Sequence, residues 1–366
     1  MATFDSPGST TGEITLLGTG GGYGESAVVH LGNNRWLIID SCINPITRRA
    51  LPLEYLQKIG VSMSDVCLII CTHWHDDHIL GIAAVLEACV NSKFAFARAN
   101  DLRKFLQFVQ LDYSKLKTNQ SNSSTVEFGR CMDILLARKV QPIWAGQDRV
   151  LYREQLGEGI SSEVISLSPS DATIATFDAE VSSLITEFGP PNKKIVVRSP
   201  NAKSVVTFIK LGNHRALLGA DLEVGSAADE GWNNILNACA TIDQRASLFK
   251  IPHHGSENGY HPEVWKRLLV EDPVAKLTPW NLHDKLPQAA MLEVFKKHSK
   301  QVYMTSPIVG AGKPKKRRKN VEKLLRELGG RLHEVKFTEG TIRSRIAMDD
   351  KAAQWEVVAF PAAIQV

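Results

Sequence analysis

Residues 71–81 read CTHWHDDHILG, which places His73, His75, Asp77 and His78 inside six positions. Imidazole nitrogens and a carboxylate at that density form the donor set of a transition-metal site, since each offers a lone pair to a divalent cation. Successive residues of an extended segment alternate sides, so His73 and His75 can present their rings to one ion. Asp77 and His78 lie one step on, where the chain turns, and can face a second ion beside the first. Zn2+, Mn2+ and Fe2+ all accept this mixture of nitrogen and oxygen, and the residues alone do not choose among them. The competing reading, histidines exposed around a helix cap, gives no reason for three of them to gather beside an apolar strand.

Such side chains need rigid elements to hold them. The continuous apolar run DVCLIIC (65–71) reads as a buried strand ending at the histidines, and from His78 to Cys89 the apolar positions Ile79, Ile82, Ala83 and Leu86 recur at helical spacing. Upstream, EITLLGT (13–19), SAVVHL (26–31) and RWLIID (35–40) read as strands separated by glycine-rich and GNN turns, and LPLEYLQKIG reads as a helix. The TGGGYGES loop between the first two strands could cradle an anion with its amides or simply form a tight turn. Downstream, ANDLRKFLQFVQLDYSKL and VEFGRCMDILLARK read as helices, with polar KTNQSNSS between them, and SEVISLSP as a strand. Residues 99–200 are therefore a candidate helical insertion or lid within a single domain spanning 1–366. SVVTFIKLGNHRALLGAD (204–221) reads as a hairpin turning at GNH, and ASLFKIPHHGS (246–256) as an apolar strand that ends in histidines. Strands alternating with helices on this scale predict an α/β sandwich.

Bulk composition narrows the function classes only a little. With 366 residues and 43% hydrophobic content, the chain can bury one large core or two modest ones. A formal charge of +4 does not by itself mark a nucleic-acid binder, so the placement of charge matters more than its sum. It is concentrated in GKPKKRRKN (312–320), where Lys313, Lys315, Lys316, Arg317, Arg318 and Lys319 could neutralise several phosphates or could form a solvated loop. The six cysteines form no C-x-x-C pair and sit mostly among apolar residues, as reduced core thiols do. The N-terminus lacks the basic and apolar regions of a signal peptide and no apolar run approaches a membrane span, so a cytoplasmic protein without membrane contact is expected.

The stretch THWHDDH (72–78) resembles the signature of the metallo-β-lactamase superfamily. That resemblance implies a four-layered αβ/βα sandwich with a two-metal site along one edge. It implies that Asp40, which ends RWLIID, braces the signature histidines, and that Asp221 in LLGADLE bridges both metals. His254, or its neighbour His253, in KIPHHGS resembles the last histidine ligand. Most members carry a further histidine between the signature and the bridging aspartate, yet no histidine occurs here from 79 to 213. His214 cannot easily substitute, because a place at the hairpin tip puts it roughly 20 Å from Asp221.

The absent histidine and the HHGS loop together resemble one branch, the hydrolase domain of ComEC-type competence channels, over roughly residues 12–90 and 200–310. On that analogy Asn201 and Ser204 occupy the region of the missing histidine, as candidate contacts to metal, water or substrate. There are departures. His75 stands where those relatives often have aspartate, and Ala220 replaces a glycine common before the bridging aspartate. An N-x-x-x-H-P pattern becomes WNLHDKLP, with Leu286 in the histidine's place and His283 as a candidate to compensate.

The expected function is a metal-dependent hydrolase, a phosphodiesterase or nuclease in which two divalent ions, zinc or manganese, activate a hydroxide. His73, His75, Asp77, His78, Asp221 and His254 are the expected ligands, with Asp77 or Asp221 orienting the nucleophile and His253 or His283 protonating the leaving oxygen. A nucleic acid or nucleotide is the expected substrate. The alternatives are a lactonase, thioesterase or β-lactamase, and a metal-binding scaffold without turnover.

Overall fold

The computed structural model of the chain describes residues 3–20, 24–98, 124–157, 159–187, 200–281, 285–308 and 339–366, with Val321, Leu324 and Glu327. In chain order its strands begin with β1 (Thr11–Gly18), β2 (Glu25–His30), β3 (Trp36–Ile39), β4 (Val66–Cys71), β5 (Lys93–Ala97) and β6 (Ile143–Ala145). They continue with β7 (Arg149–Gly157), β8 (Ile160–Ser166), β9 (Thr207–Leu211), β10 (His214–Leu218), β11 (Ala246–Lys250) and β12 (Leu269–Leu277). The last are β13 (Val302–Met304), β14 (Gly340–Ala347), β15 (Glu356–Phe360) and β16 (Ile364–Gln365). The helices are α1 (Leu51–Lys58), α2 (Asp76–Ile79), α3 (Ile82–Ala88), α4 (Ser124–Arg138), α5 (Asp171–Glu187), α6 (Gly231–Ala238) and α7 (Ala289–His298). Among the described helices none is long and apolar enough to cross a membrane.

Two mixed sheets form, in the orders β15-β14-β1-β2-β3-β4-β5-β6 and β16-β13-β12-β11-β10-β9-β8-β7. Central strands such as β3 and β4 read as unbroken apolar runs because both faces are covered. The period-2 alternation sorts the side chains. Leu37 and Ile39, Leu68 and Ile70, and Ala216 and Leu218 point into the core between the sheets. Trp36 and Ile38, with Ile69 and Cys71, point outward from the first sheet onto α1, α3 and α4, whose Leu56, Leu86 and Phe128 close that layer. On the far side Leu217 and Phe249 meet Trp232, Ile235, Trp265 and Phe295. The result is the expected α/β sandwich of four layers, consistent with the metallo-β-lactamase fold. Buried Lys276 ties the sheets together, its Nζ donating from β12 to the carbonyls of Ile14 (2.8 Å) and Ile342 (3.1 Å).

Within 99–200 the described residues give the helix expected at VEFGRCMDILLARK as α4 and the strand expected at SEVISLSP as β8, while ANDLRKFLQFVQLDYSKL lies outside the described residues. Strand β6 joins the edge of the first sheet and β7 and β8 the edge of the second, so this stretch also contributes to both sheets.

One helix differs from its expected course. The helical spacing from His78 to Cys89 is split into α2 and α3 by Gly81, whose φ of 86° is open to glycine but strained for other residues. A Cβ there would stand 2.6 Å from Ile43 Cδ1. The carboxylate of Glu127 on α4 accepts from the Gly81 and Ala83 amides at 3.2 and 3.3 Å, supplying partners at the break. Gly81→Ala is expected to lower stability by about 2 kcal/mol. Urea denaturation of the purified variant measures it, and an unchanged midpoint would show that the break is not needed.

Candidate metal centre

Four strand ends deliver the candidate site. In the first sheet β3 and β4 run parallel with Ile39 opposite Ile70, so Asp40 emerges beside Thr72 and the histidines that follow. In the second, β10 and β11 run parallel with Leu218 opposite Lys250, so Asp221 emerges beside the HHGS loop. Carboxyl ends of parallel strands are where open α/β sheets gather their ligands. Backbone strain collects here too. Asp40, Ala220, His253 and His254 all take positive φ, at 59°, 45°, 47° and 54°. Each such non-glycine residue costs on the order of 1–2 kcal/mol, which surrounding contacts must offset.

Each buried imidazole has its outer nitrogen committed. Asp40 accepts from the Thr72 amide (2.7 Å), the Thr72 hydroxyl (2.6 Å) and His78 Nδ1 (2.7 Å). Since the Thr72 hydroxyl proton goes to Asp40, its oxygen accepts from His73 Nδ1 at 3.0 Å. His254 Nδ1 donates to the Thr278 carbonyl at 2.9 Å. In the neutral ring a proton on Nδ1 leaves Nε2 as a lone pair. These Nε2 atoms face carboxylates. His78 Nε2 lies 3.3 Å from Asp221 Oδ2 and 3.5 Å from Asp77 Oδ2, and His254 Nε2 lies 3.0 Å from Asp77 Oδ2 and 3.6 Å from Asp221 Oδ2. His73 Nε2 faces Asp221 Oδ2 at 3.9 Å.

Acceptors converging in a buried space demand positive charge. His73 Nε2, His78 Nε2 and Asp221 Oδ1 are buried without a hydrogen-bond partner. Burial disfavours a charged His78, but the Asp221 and Asp77 carboxylates outweigh it and push its pKa well above the usual value. Burial, with repulsion from His78, drives His73 well below. Asp221 is held low against its burial, chiefly by His78, His254 and Lys250. A divalent cation answers this demand with the right donor types. Asp77, His78, Asp221 and His254 each offer an atom within 4.8 Å of the others, as do His73, His75 and Asp221. These residues fit a pair of ions sharing Asp221. Asp40 also falls within that distance of His73 and His78, but its oxygens are taken up by Thr72 and His78 Nδ1.

Of the paired histidines, His254 turns into the cluster, while His253 Nε2 accepts from Asn201 Nδ2 at 3.0 Å and its Nδ1 lies 3.5 Å from Glu223 Oε1. Ser204 is buried with an unpartnered hydroxyl. His214 pairs with Leu211 at the far end of β10 and contacts the carbonyls of Ala347 and Asp350, away from the centre. His283 lies outside the described residues, as do Lys313, Lys315, Lys316, Arg317, Arg318 and Lys319. A cavity of about 980 Å3 opens beside Asp77, with Ile43, Pro45, Leu80, Ile134 and Trp280 among its walls. The Trp280 ring stands 5.4 Å from that of His254.

Sequence reasoning missed a buried ion pair. Lys250 is 4% exposed, pairs with Glu25, donates to the Ala220 carbonyl at 2.7 Å and approaches Asp221 Oδ1 at 3.6 Å. Glu25 and Asp221 keep it protonated against its burial. A lysine closing the apolar strand ASLFK was the available signal, because an isolated cation on a buried strand needs a partner.

A model of the metallo-β-lactamase superfamily matches residues 19–103, which supports the superfamily that the signature resembles. No curated protein sequence matches significantly. Among solved structures, the metallo-β-lactamase fold protein YhfI from Bacillus subtilis is similar at 14% identity and a TM-score of 0.33, over 66% of this chain and 70% of that one. The short form of human tRNase Z is similar at 11% identity and a TM-score of 0.36, over 79% and 90%. The dizinc quorum-quenching lactonase AidC is similar at 14% identity and a TM-score of 0.30, over 54% and 55%.

Lys250→Met leaves Glu25 buried without its cation and is expected to cost about 3–5 kcal/mol. Adding Glu25→Gln should recover part of that loss. A double-mutant cycle by chemical denaturation measures the coupling, and strictly additive losses would show that the pair contributes nothing of its own.

Proposed function

We propose that this chain is a metal-dependent hydrolase of phosphodiester bonds, a phosphodiesterase or nuclease, working with two divalent ions, zinc or manganese. The observation that carries the hydrolase reading is the convergence of imidazole Nε2 atoms on the Asp77 and Asp221 carboxylates. In this reading His73, His75 and Asp221 hold one ion, and Asp77, His78, His254 and Asp221 hold the other. When bound, such a pair lowers the pKa of a water toward neutrality and offsets charge developing on the attacked centre.

The chain's own groups do the rest. Asp40 and Thr72 fix the tautomers of His78 and His73, and Thr278 fixes that of His254. Asp77 or Asp221 accepts a hydrogen bond from the attacking water and orients it. His253, 19% exposed at the side chain, carries a proton to the leaving oxygen. The phosphodiester substrate is supported by the N-x-x-S and K-x-x-HHGS stretches, with their similarity to the ComEC-type hydrolase domain, and by the basic run 313–319.

A second reading rests on the cavity. Its apolar walls at Ile43, Pro45, Leu80, Ile134 and Trp280 suit a small ester or lactone carrying an apolar group.

With Mn2+ or Zn2+ the purified chain is expected to cleave a bis-nitrophenyl phosphodiester and at least one of circular DNA, linear DNA, RNA or a cyclic dinucleotide. His73→Ala and Asp77→Asn should abolish this while the far-UV circular dichroism stays unchanged. Hydrolysis of lactones or nitrocefin with inert phosphodiesters would replace the leading reading by the second.

A further inference from the structure

The two proposed ion sites differ in their described ligands. Asp77, His78, Asp221 and His254 supply four donors to one, while His73, His75 and Asp221 supply three to the other. The chain between the signature and Asp221 has no histidine near enough to finish the second set, since His214 is bound at the opposite end of β10.

Asn201 reaches residues adjoining two of the proposed ligands, His253 beside His254 and Glu223 two positions past Asp221. Its segment is fastened to the signature by the Val205 amide, which donates to the Thr72 carbonyl at 3.0 Å, one residue before His73. Its amide group is also oriented. Nδ2 has two hydrogens, and both are used, one toward Glu223 Oε1 at 3.2 Å and one toward His253 Nε2 at 3.0 Å. Flipping the amide would set Oδ1 against the Glu223 carboxylate, so the assignment is electrostatically determined. Oδ1 therefore stands as a free acceptor, buried and without a hydrogen-bond partner, in a residue only 8% exposed. A buried amide oxygen with no partner costs about 1–3 kcal/mol unless something positive or protic meets it.

We propose that Asn201 Oδ1 completes the His73, His75 and Asp221 site in place of an imidazole, with Glu223 and His253 as the positioning residues that aim it. This rests on the reading of the cluster as a two-cation centre. A carboxamide oxygen is a harder donor than imidazole, so this site favours Mn2+ over Zn2+ more than a three-histidine site would.

The test uses the full chain, stripped and reloaded with Zn2+, Mn2+ or Co2+, and reads metal content by mass spectrometry, affinity by calorimetry and the visible spectrum of bound Co2+. Wild type is expected to bind two equivalents. Asn201→Ala should lose one, or bind it at least about tenfold more weakly, with an altered cobalt spectrum. Asn201→His should keep both and shift that site's preference toward Zn2+. Two equivalents at wild-type affinity with an unchanged cobalt spectrum in Asn201→Ala, and no metal shift in Asn201→His, would overturn the assignment. So would loss of the ion in Ser204→Ala with retention in Asn201→Ala, since Ser204 offers the neighbouring unpartnered oxygen. A wild-type chain that takes up no cation overturns the two-cation reading itself.

Discussion

The centre of this molecule is an electrostatic demand. Three imidazoles and two carboxylates, nearly all sealed from water, aim ring nitrogens and oxygens at one space because the opposite ends of the rings are tied elsewhere. Bringing like acceptors together in a low-dielectric interior is unfavourable unless a cation joins them. The rest of the sandwich can be read as the apparatus that enforces this arrangement. Parallel pairing of β3 with β4 and of β10 with β11 sets the strand ends in register, and Asp40 and Thr278 spend the outward nitrogens.

Local pattern carried much of this into the linear chain. DVCLIIC, RWLIID and ASLFK are apolar runs whose endings hold the polar groups of the centre, so strand positions and the early histidines were readable from periodicity and spacing. The long-range partners were not. Nothing near Asp40 in sequence says that Thr72 and His78 will share it, because that depends on the parallel register of β3 and β4. Likewise the pairing of Glu25 with Lys250 joins the start of β2 to a strand of the other sheet, and although a lysine ending an apolar strand signals that a partner is needed, nothing local names Glu25 as that partner. The choice between His253 and His254 also waited on tertiary geometry, since two adjacent residues in left-handed conformation send their rings to different neighbours.

Strain and support are paired at this edge. Ala220 occupies a positive φ that glycine would adopt freely, yet its carbonyl receives Lys250 Nζ and the His253 amide. The same contacts that hold the strained turn thus connect Asp221, the HHGS loop and the buried lysine. Glu223, two residues past Asp221, extends that connection to Asn201 and His253. The outer groups form one network in which the orientation of each depends on its neighbours, as in other buried polar constellations.

Because the donor groups come from both sheets, no half of the chain can assemble the centre alone. An ion held there has affinity for the docked sandwich and little for separated halves, so occupancy and folding draw on one free energy. At a free concentration one hundred times its dissociation constant, such an ion adds roughly 2.7 kcal/mol to the folded form. Were an ion held there, the lifetime of the chain against proteolysis would follow the trace-metal supply of its surroundings.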